Sequence, residues 1–208
     1  MPQLVVAQSA EGIVLAAENR AIQINEKGEE VSLQVNPLIQ LSPQTALMVS
    51  GAPEGIDIGQ TLKNFIQGEG IHDIEDLYPA AMAFLSTEYE RFMRKKCEIL
   101  PIDPIHHVSF ILAGKTDRDP VRSFRLYFLW NKKRLPQLDG DEITYAFSLP
   151  RRMGLEYQLN QMAKENVGLK KIAETMKEGI QKLRKQEEIQ APVSWALITS
   201  KGYQPLEV

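Results

Sequence analysis

The chain has 208 residues, a net charge of −3, 43% hydrophobic and 25% charged residues, and one cysteine. That size and balance suit one globular domain with a sizeable core, residues 1–208 taken together. They exclude an internal disulfide framework, a basic footprint for nucleic acid or an anionic membrane, and any apolar run near the roughly 20 residues that span a bilayer.

The lone Cys97 fits a reducing cytosol, and the first residues lack the basic-then-apolar pattern of a signal peptide, so a cytoplasmic protein is expected. Residues 4–51 read as strands. LVVAQS (4–9) and GIVLAAE (12–18) flank Ala10-Glu11 as a hairpin. IQINEKGEEVSLQV (22–35) alternates on both arms around a solvated turn, with Gly28 able to take positive φ. LIQLS (38–42) and TALMVSG (45–51) form a third pair. The period then becomes helical. Residues 54–67 carry Ile58, Leu62, Phe65 and Ile66 on one face. Residues 73–96 do the same with Leu77, Ala81, Phe84, Leu85, Phe92 and Met93; Asp76 is positioned to cap this helix and Pro79 to sit in its first turn. Strands return at 107–114, 122–130 and 143–148, followed by helices near 153–164 and over 168–186, and one closing strand at 194–202. Helices that arrive in pairs between runs of antiparallel strands predict an α+β fold. The expected arrangement is a four-layer α/β/β/α sandwich, with two antiparallel sheets between two helix pairs.

Four segments in this order resemble a known family. EGIVLAAENRA resembles the second strand of proteasome β-type subunits and the bacterial threonine proteases related to them. SGAPEGIDIGQTL resembles the serine-glycine turn leading into their first helix. HHVSFILAGKTD resembles the strand after their helix pair, and WALITSKG their last strand. The resemblance spans nearly the whole chain and implies the N-terminal-nucleophile hydrolase fold. No long N-terminal extension precedes the first strand, so the likeness is to the β type.

In that family a free N-terminal threonine attacks the carbonyl and its own amine takes the proton. A lysine keeps the amine deprotonated, a carboxylate positions the lysine, and backbone N–H groups at the serine-glycine turn receive the oxyanion. Counting along this chain puts the nucleophile's place at Pro2, which has no hydroxyl. The carboxylate's place falls at Glu18. The lysine's place falls at Pro37, with Asn36 or Val35 one or two residues away. The oxyanion turn is kept as Ser50-Gly51-Ala52. The small residues that shape the site after the 143–148 strand are replaced by SLPRRMG. The expected function is therefore a proteasome-β-like structural or binding subunit without threonine-protease activity, self-associating into a ring or smaller homo-oligomer. The alternative is an active hydrolase of the threonine-peptidase type, with the Pro2 amine as base or with a nucleophile such as Ser9 exposed by processing. A third reading keeps the cleft for a peptide or small molecule, with Glu18, Ser50 and Arg151 around it. Neither cofactor nor metal is expected, and neither nucleic acid nor membrane as a partner.

Other features have plainer explanations. His106-His107 would point to opposite sides of a strand, and His72 is the only other histidine. Cys97 follows Arg94-Lys95-Lys96, which would lower its pKa, yet a lone thiol at a helix end is usually inert. The basic clusters at 91–96, 132–134 and 151–152 have acidic neighbours and read as salt-bridged surface. Trp130 and Trp195 read as packing residues. The Lys-rich helix at 168–186 has the stripe of a calmodulin target but reads as an outer helix packed on its sheet.

Overall fold

A computed structural model of the chain describes residues 2–25, 27–97, 107–131 and 138–206. The first half contains β1 (Leu4–Ser9), β2 (Gly12–Glu18), β3 (Arg20–Ile24), β4 (Glu30–Gln34), β5 (Leu38–Ser42), β6 (Thr45–Gly51), α1 (Glu54–Glu69) and α2 (Ile74–Cys97). The second half contains β7 (Val108–Lys115), β8 (Phe124–Asn131), β9 (Leu138–Glu142), β10 (Ala146–Leu149), α3 (Met153–Lys164), α4 (Leu169–Lys185), β11 (Val193–Thr199) and β12 (Gly202–Leu206). The fold is α+β: among the described residues, four helices and three antiparallel sheets. One five-stranded sheet runs β10-β1-β2-β11-β12, the other runs β5-β6-β7-β8-β9, and β3-β4 is a separate ribbon.

The strand sequences explain where the core sits. β1 and β2 are apolar almost throughout because both of their faces are covered. Alternate residues go to different clusters. Leu4, Val6, Ile13 and Leu15 pack with Met48, Ile111, Ala113 and Leu126 of the other sheet. Val5, Ala7, Val14 and Ala16 pack with Leu159 of α3 and with Ile172, Met176 and Ile180 of α4. A third cluster joins Leu47, Val49, Phe110 and Leu112 to Leu62 and Ile66 of α1 and to Leu77, Leu85 and Tyr89 of α2. Each fully buried Leu, Ile or Val contributes about 1.5–3 kcal/mol relative to exposure, which makes the two sheet faces the main source of stability. Helix α1 comes unusually close to its sheet. A Cβ on Gly55 would lie 2.5 Å from Val108 Cγ1, and one on Gly59 would lie 2.7 Å from Ile39 Cδ1.

Several expectations change at element ends. The closing segment is a hairpin, β11 followed by β12, rather than one strand. β9 (LDGDE) adds an edge strand beside β8 that the sequence pattern did not suggest, while the strand expected at 143–148 is confined to β10. Asp73, not Asp76, caps α2: its Oδ1 accepts from the Glu75 amide at 2.9 Å. Asp76 instead pairs with Arg118 at 2.5 Å. Because α2 begins at Ile74, Pro79 lies beyond its first turn and withholds the N–H that would bond to the Glu75 carbonyl. Gly28 does take positive φ, at 80°. No helix among the described residues is long and apolar enough to cross a membrane.

Candidate functional site

Pro2 is buried just ahead of β1. The next residue ties that end of the chain to β2, because the Gln3 amide donates to Glu18 Oε2 at 3.0 Å and the Glu18 amide donates to the Gln3 carbonyl at 2.9 Å. Glu18 is 0% exposed. Its Oε1 accepts from the amides of Gln190 at 2.9 Å and Ala191 at 3.2 Å, in the loop before β11. Arg20 Nε lies 3.2 Å from the same oxygen, an ion pair without hydrogen-bond alignment, while Arg20 Nη1 donates to Gln190 Oε1 at 2.8 Å. One carboxylate therefore holds three segments together: the start of β1, the end of β2 and the α4–β11 loop. By strand alternation Glu18 shares the α3/α4 side of the sheet with Ala16, whereas Pro2 falls on the side of Leu4, between the sheets.

The other site residues lie on the second sheet. The Pro37 carbonyl accepts from the Val49 amide at 2.9 Å, and Asn36 Oδ1 accepts from the Leu38 amide at 3.1 Å, so this stretch is an ordinary strand entry. Ser50 shares the intersheet side with Ala46 and Met48 and is 2% exposed. Its Oγ has no hydrogen-bond partner among the described residues. Gly51 has φ of 112°, and a Cβ there would stand 1.9 Å from the His107 carbonyl oxygen. The Ala52 amide, which the resemblance makes part of the oxyanion turn, donates to that same carbonyl at 3.1 Å. The structure thus ties Glu18 to Gln3, the residue after Pro2, and Pro37 to Val49, the residue before Ser50, while Pro2 and Glu18 face opposite sides of their sheet. Among the described residues, no hydrogen bond or ion pair joins the two sets.

Arg151 is also committed. Its Nε lies 2.8 Å and 3.0 Å from the two carboxylate oxygens of Glu156, its Nη2 lies 2.5 Å from Oε2, and its guanidinium sits 4.9 Å over the Phe147 ring. Glu156, only 3% exposed, also accepts from the Ser148 amide and hydroxyl and from the Arg152 amide. Arg152 reaches back to Gln3, its Nε 2.9 Å from Oε1, and pairs with Glu188. Gln3 therefore connects the Glu18 and Glu156 networks. The salt-bridged reading of Arg151-Arg152 holds, but the buried Glu156 at its centre was not anticipated; its sequence signal is a glutamate in the first turn of α3.

Burial by itself would raise the Glu156 pKa. Hydrogen bonds from Arg151, Ser148 and the Arg152 amide, with the Arg151 charge, outweigh that and hold the carboxyl below its ordinary value of 4.5. A carboxyl depressed on folding stabilises the fold above its unfolded pKa and loses that contribution as pH falls through the folded one. Urea midpoints measured from about pH 6 down to about pH 3 are expected to fall more steeply for the native chain than for Glu156→Gln. Parallel pH profiles would show that Glu156 contributes no such linkage.

Among the described residues no group of three or more His, Cys, Asp or Glu is placed to hold a metal ion. His106, the Cys97 thiol and residues 132–134 lie outside what the structure describes. In the 91–96 cluster, Arg91 pairs with Glu88 at 2.5 Å and Arg94 with Glu90 at 2.6 Å, as the acidic neighbours suggested. The sequence matches no protein-family model and has no significant match among characterised proteins.

Proposed function

We propose that this chain is a proteasome-β-like assembly subunit without threonine-protease chemistry, built on the four-layer α/β/β/α sandwich of the N-terminal-nucleophile hydrolases. The observation that carries this reading is the state of the carboxylate at Glu18. It is spent on three backbone amides and Arg20, and among the described residues no lysine or hydroxyl bonds to it. Covalent acyl transfer needs a nucleophile with a base in reach, and Pro2 supplies no attacking oxygen. The three clusters, with one between the five-stranded sheets and one under each helix pair, support the four-layer arrangement. Self-association is supported by Met153 and Tyr157, one helical turn apart on α3 and 70% and 67% exposed. A cytoplasmic assembly of copies of this chain is the role proposed.

The test is intact mass spectrometry of the protein from its own source, run denatured and native, after incubation with a threonine-directed epoxyketone. The expected result is an unlabelled chain beginning at Met1 or Pro2 and a native mass of several copies, reduced toward one copy by Met153→Glu with Tyr157→Glu. Covalent labelling, or a chain trimmed to begin at Ser or Thr, would overturn the proposal in favour of an active hydrolase.

A further inference from the structure

A groove of about 540 Å³ runs between α4 and β11, on the outer side of the β10-β1-β2-β11-β12 sheet. It exists because α4 packs over β1 and β2, leaving the neighbouring β11 at the edge of its cover. Ile180, Pro192 and Trp195 give it apolar surface, while Lys177, Gln181 and Arg184 line it from α4. None of its lining residues is acidic. Of the six basic residues on α4, against two acidic ones, Lys177 and Arg184 are the two that line the groove. Lys177 has no ion pair among the described residues. Arg184 spends one N–H on the Ala191 carbonyl, at 3.4 Å, and retains four others. The acidic neighbours are Glu174 and Glu178 on α4 and Glu187 and Glu188 just after it; Glu174 pairs with Lys171 and Glu188 with Arg152, Glu178 and Glu187 face solvent, and Glu18 under the Gln190-Ala191 loop is neutralised by Arg20 and backbone amides.

We propose that this groove binds a small amphipathic anion, an organic acid whose apolar or aromatic body lies along Ile180, Pro192 and Trp195 and whose acidic head meets Lys177 and Arg184. The volume falls within the roughly 300–1,000 Å³ of clefts that hold small ligands. Ile180 and Trp195 are 4% and 6% exposed, so the apolar contact is narrow and centred on Pro192, and the two cations select the charge. The site is separate from Pro2 and Ser50, so it stands whether or not the chain has proteolytic ancestry.

The test uses the full chain and two fluorescent probes, 1-anilinonaphthalene-8-sulfonate and its uncharged analogue N-phenyl-1-naphthylamine. Trp130→Phe leaves Trp195 as the only tryptophan. The anionic probe is expected to saturate at one per chain and to quench Trp195. Lys177→Glu should weaken it about tenfold by replacing attraction with repulsion, and Arg184→Gln should weaken it several-fold. Both side chains are at least partly solvated, so an unchanged thermal midpoint separates lost binding from lost folding. Binding of the neutral probe should hardly change. The proposal is overturned if both probes bind alike, if Trp195 is not quenched, or if Lys177→Glu and Arg184→Gln bind the anion as the native chain does.

Discussion

Glu18→Ala is expected to destabilise the fold by about 3–5 kcal/mol, the usual cost of removing one partner from a buried, hydrogen-bonded charge. The side chain is fully buried, and its removal strands the amides of Gln3, Gln190 and Ala191 together with the Arg20 guanidinium. The Gln3 amide is sealed from water, so its lost bond is not replaced, and Arg20 loses its counter-charge at a site only 14% exposed, whereas Gln190 and Ala191 lie in a more open loop. Glu18→Gln should fall between the two, about 2 kcal/mol, because one amide oxygen remains while the NH₂ faces a donor. Urea denaturation of the three proteins measures this directly. A carboxylate kept for catalysis would give the opposite pattern, with activity lost and stability little changed. A Glu18→Ala cost below about 1 kcal/mol would sink the structural role assigned here.

How much of this was legible in the sequence depended on how many faces of a segment are buried. LVVAQS and GIVLAAE were readable as a hairpin because both sides of both strands are covered, which forces continuous apolar runs. β9 and β12 escaped notice because they are edge strands. LDGDE is mostly acidic, and GYQPL contains Pro205, which only an edge or a strand start tolerates. The cap of α2 was misplaced by three residues because Asp73 and Asp76 both suit a helix start, and only the backbone shows which one precedes the first turn. At the candidate site, Pro2, Glu18, Pro37, Ser50 and Gly51 were singled out by the resemblance alone, and among the described residues no hydrogen bond or ion pair joins Pro2 and Glu18 to the other three. What Glu18 and Gln3 bond to was not legible. Those partners stand 172, 173 and 149 residues away, and only the closed sheet brings them together.

Gly51→Ala is expected to cost at least about 3 kcal/mol, the sum of a strained backbone and an overpacked contact. For a chain of this size that lowers the thermal midpoint by roughly 6–12 °C. The cause is local and geometric. At φ of 112° an L side chain is strained, and its Cβ would stand 1.9 Å from the His107 carbonyl oxygen. That oxygen accepts from the Ala52 amide, so the chain cannot simply retreat from it without breaking the bond that starts the β6–α1 turn. Ser50→Ala is the informative contrast one residue earlier. It deletes a buried hydroxyl that has no partner among the described residues, so stability should stay the same or rise by up to about 1 kcal/mol. The pair separates two explanations for the serine-glycine turn. A turn kept for its side-chain chemistry would be more sensitive at Ser50, whereas a turn kept for its backbone path is sensitive at Gly51 alone. A Gly51→Ala midpoint within about 2 °C of the native chain would mean that β6 and β7 separate at this end with little cost. The Ala52 amide would then be free to turn from the His107 carbonyl toward a ligand, and the chemistry proposed to be absent would have one of its parts back.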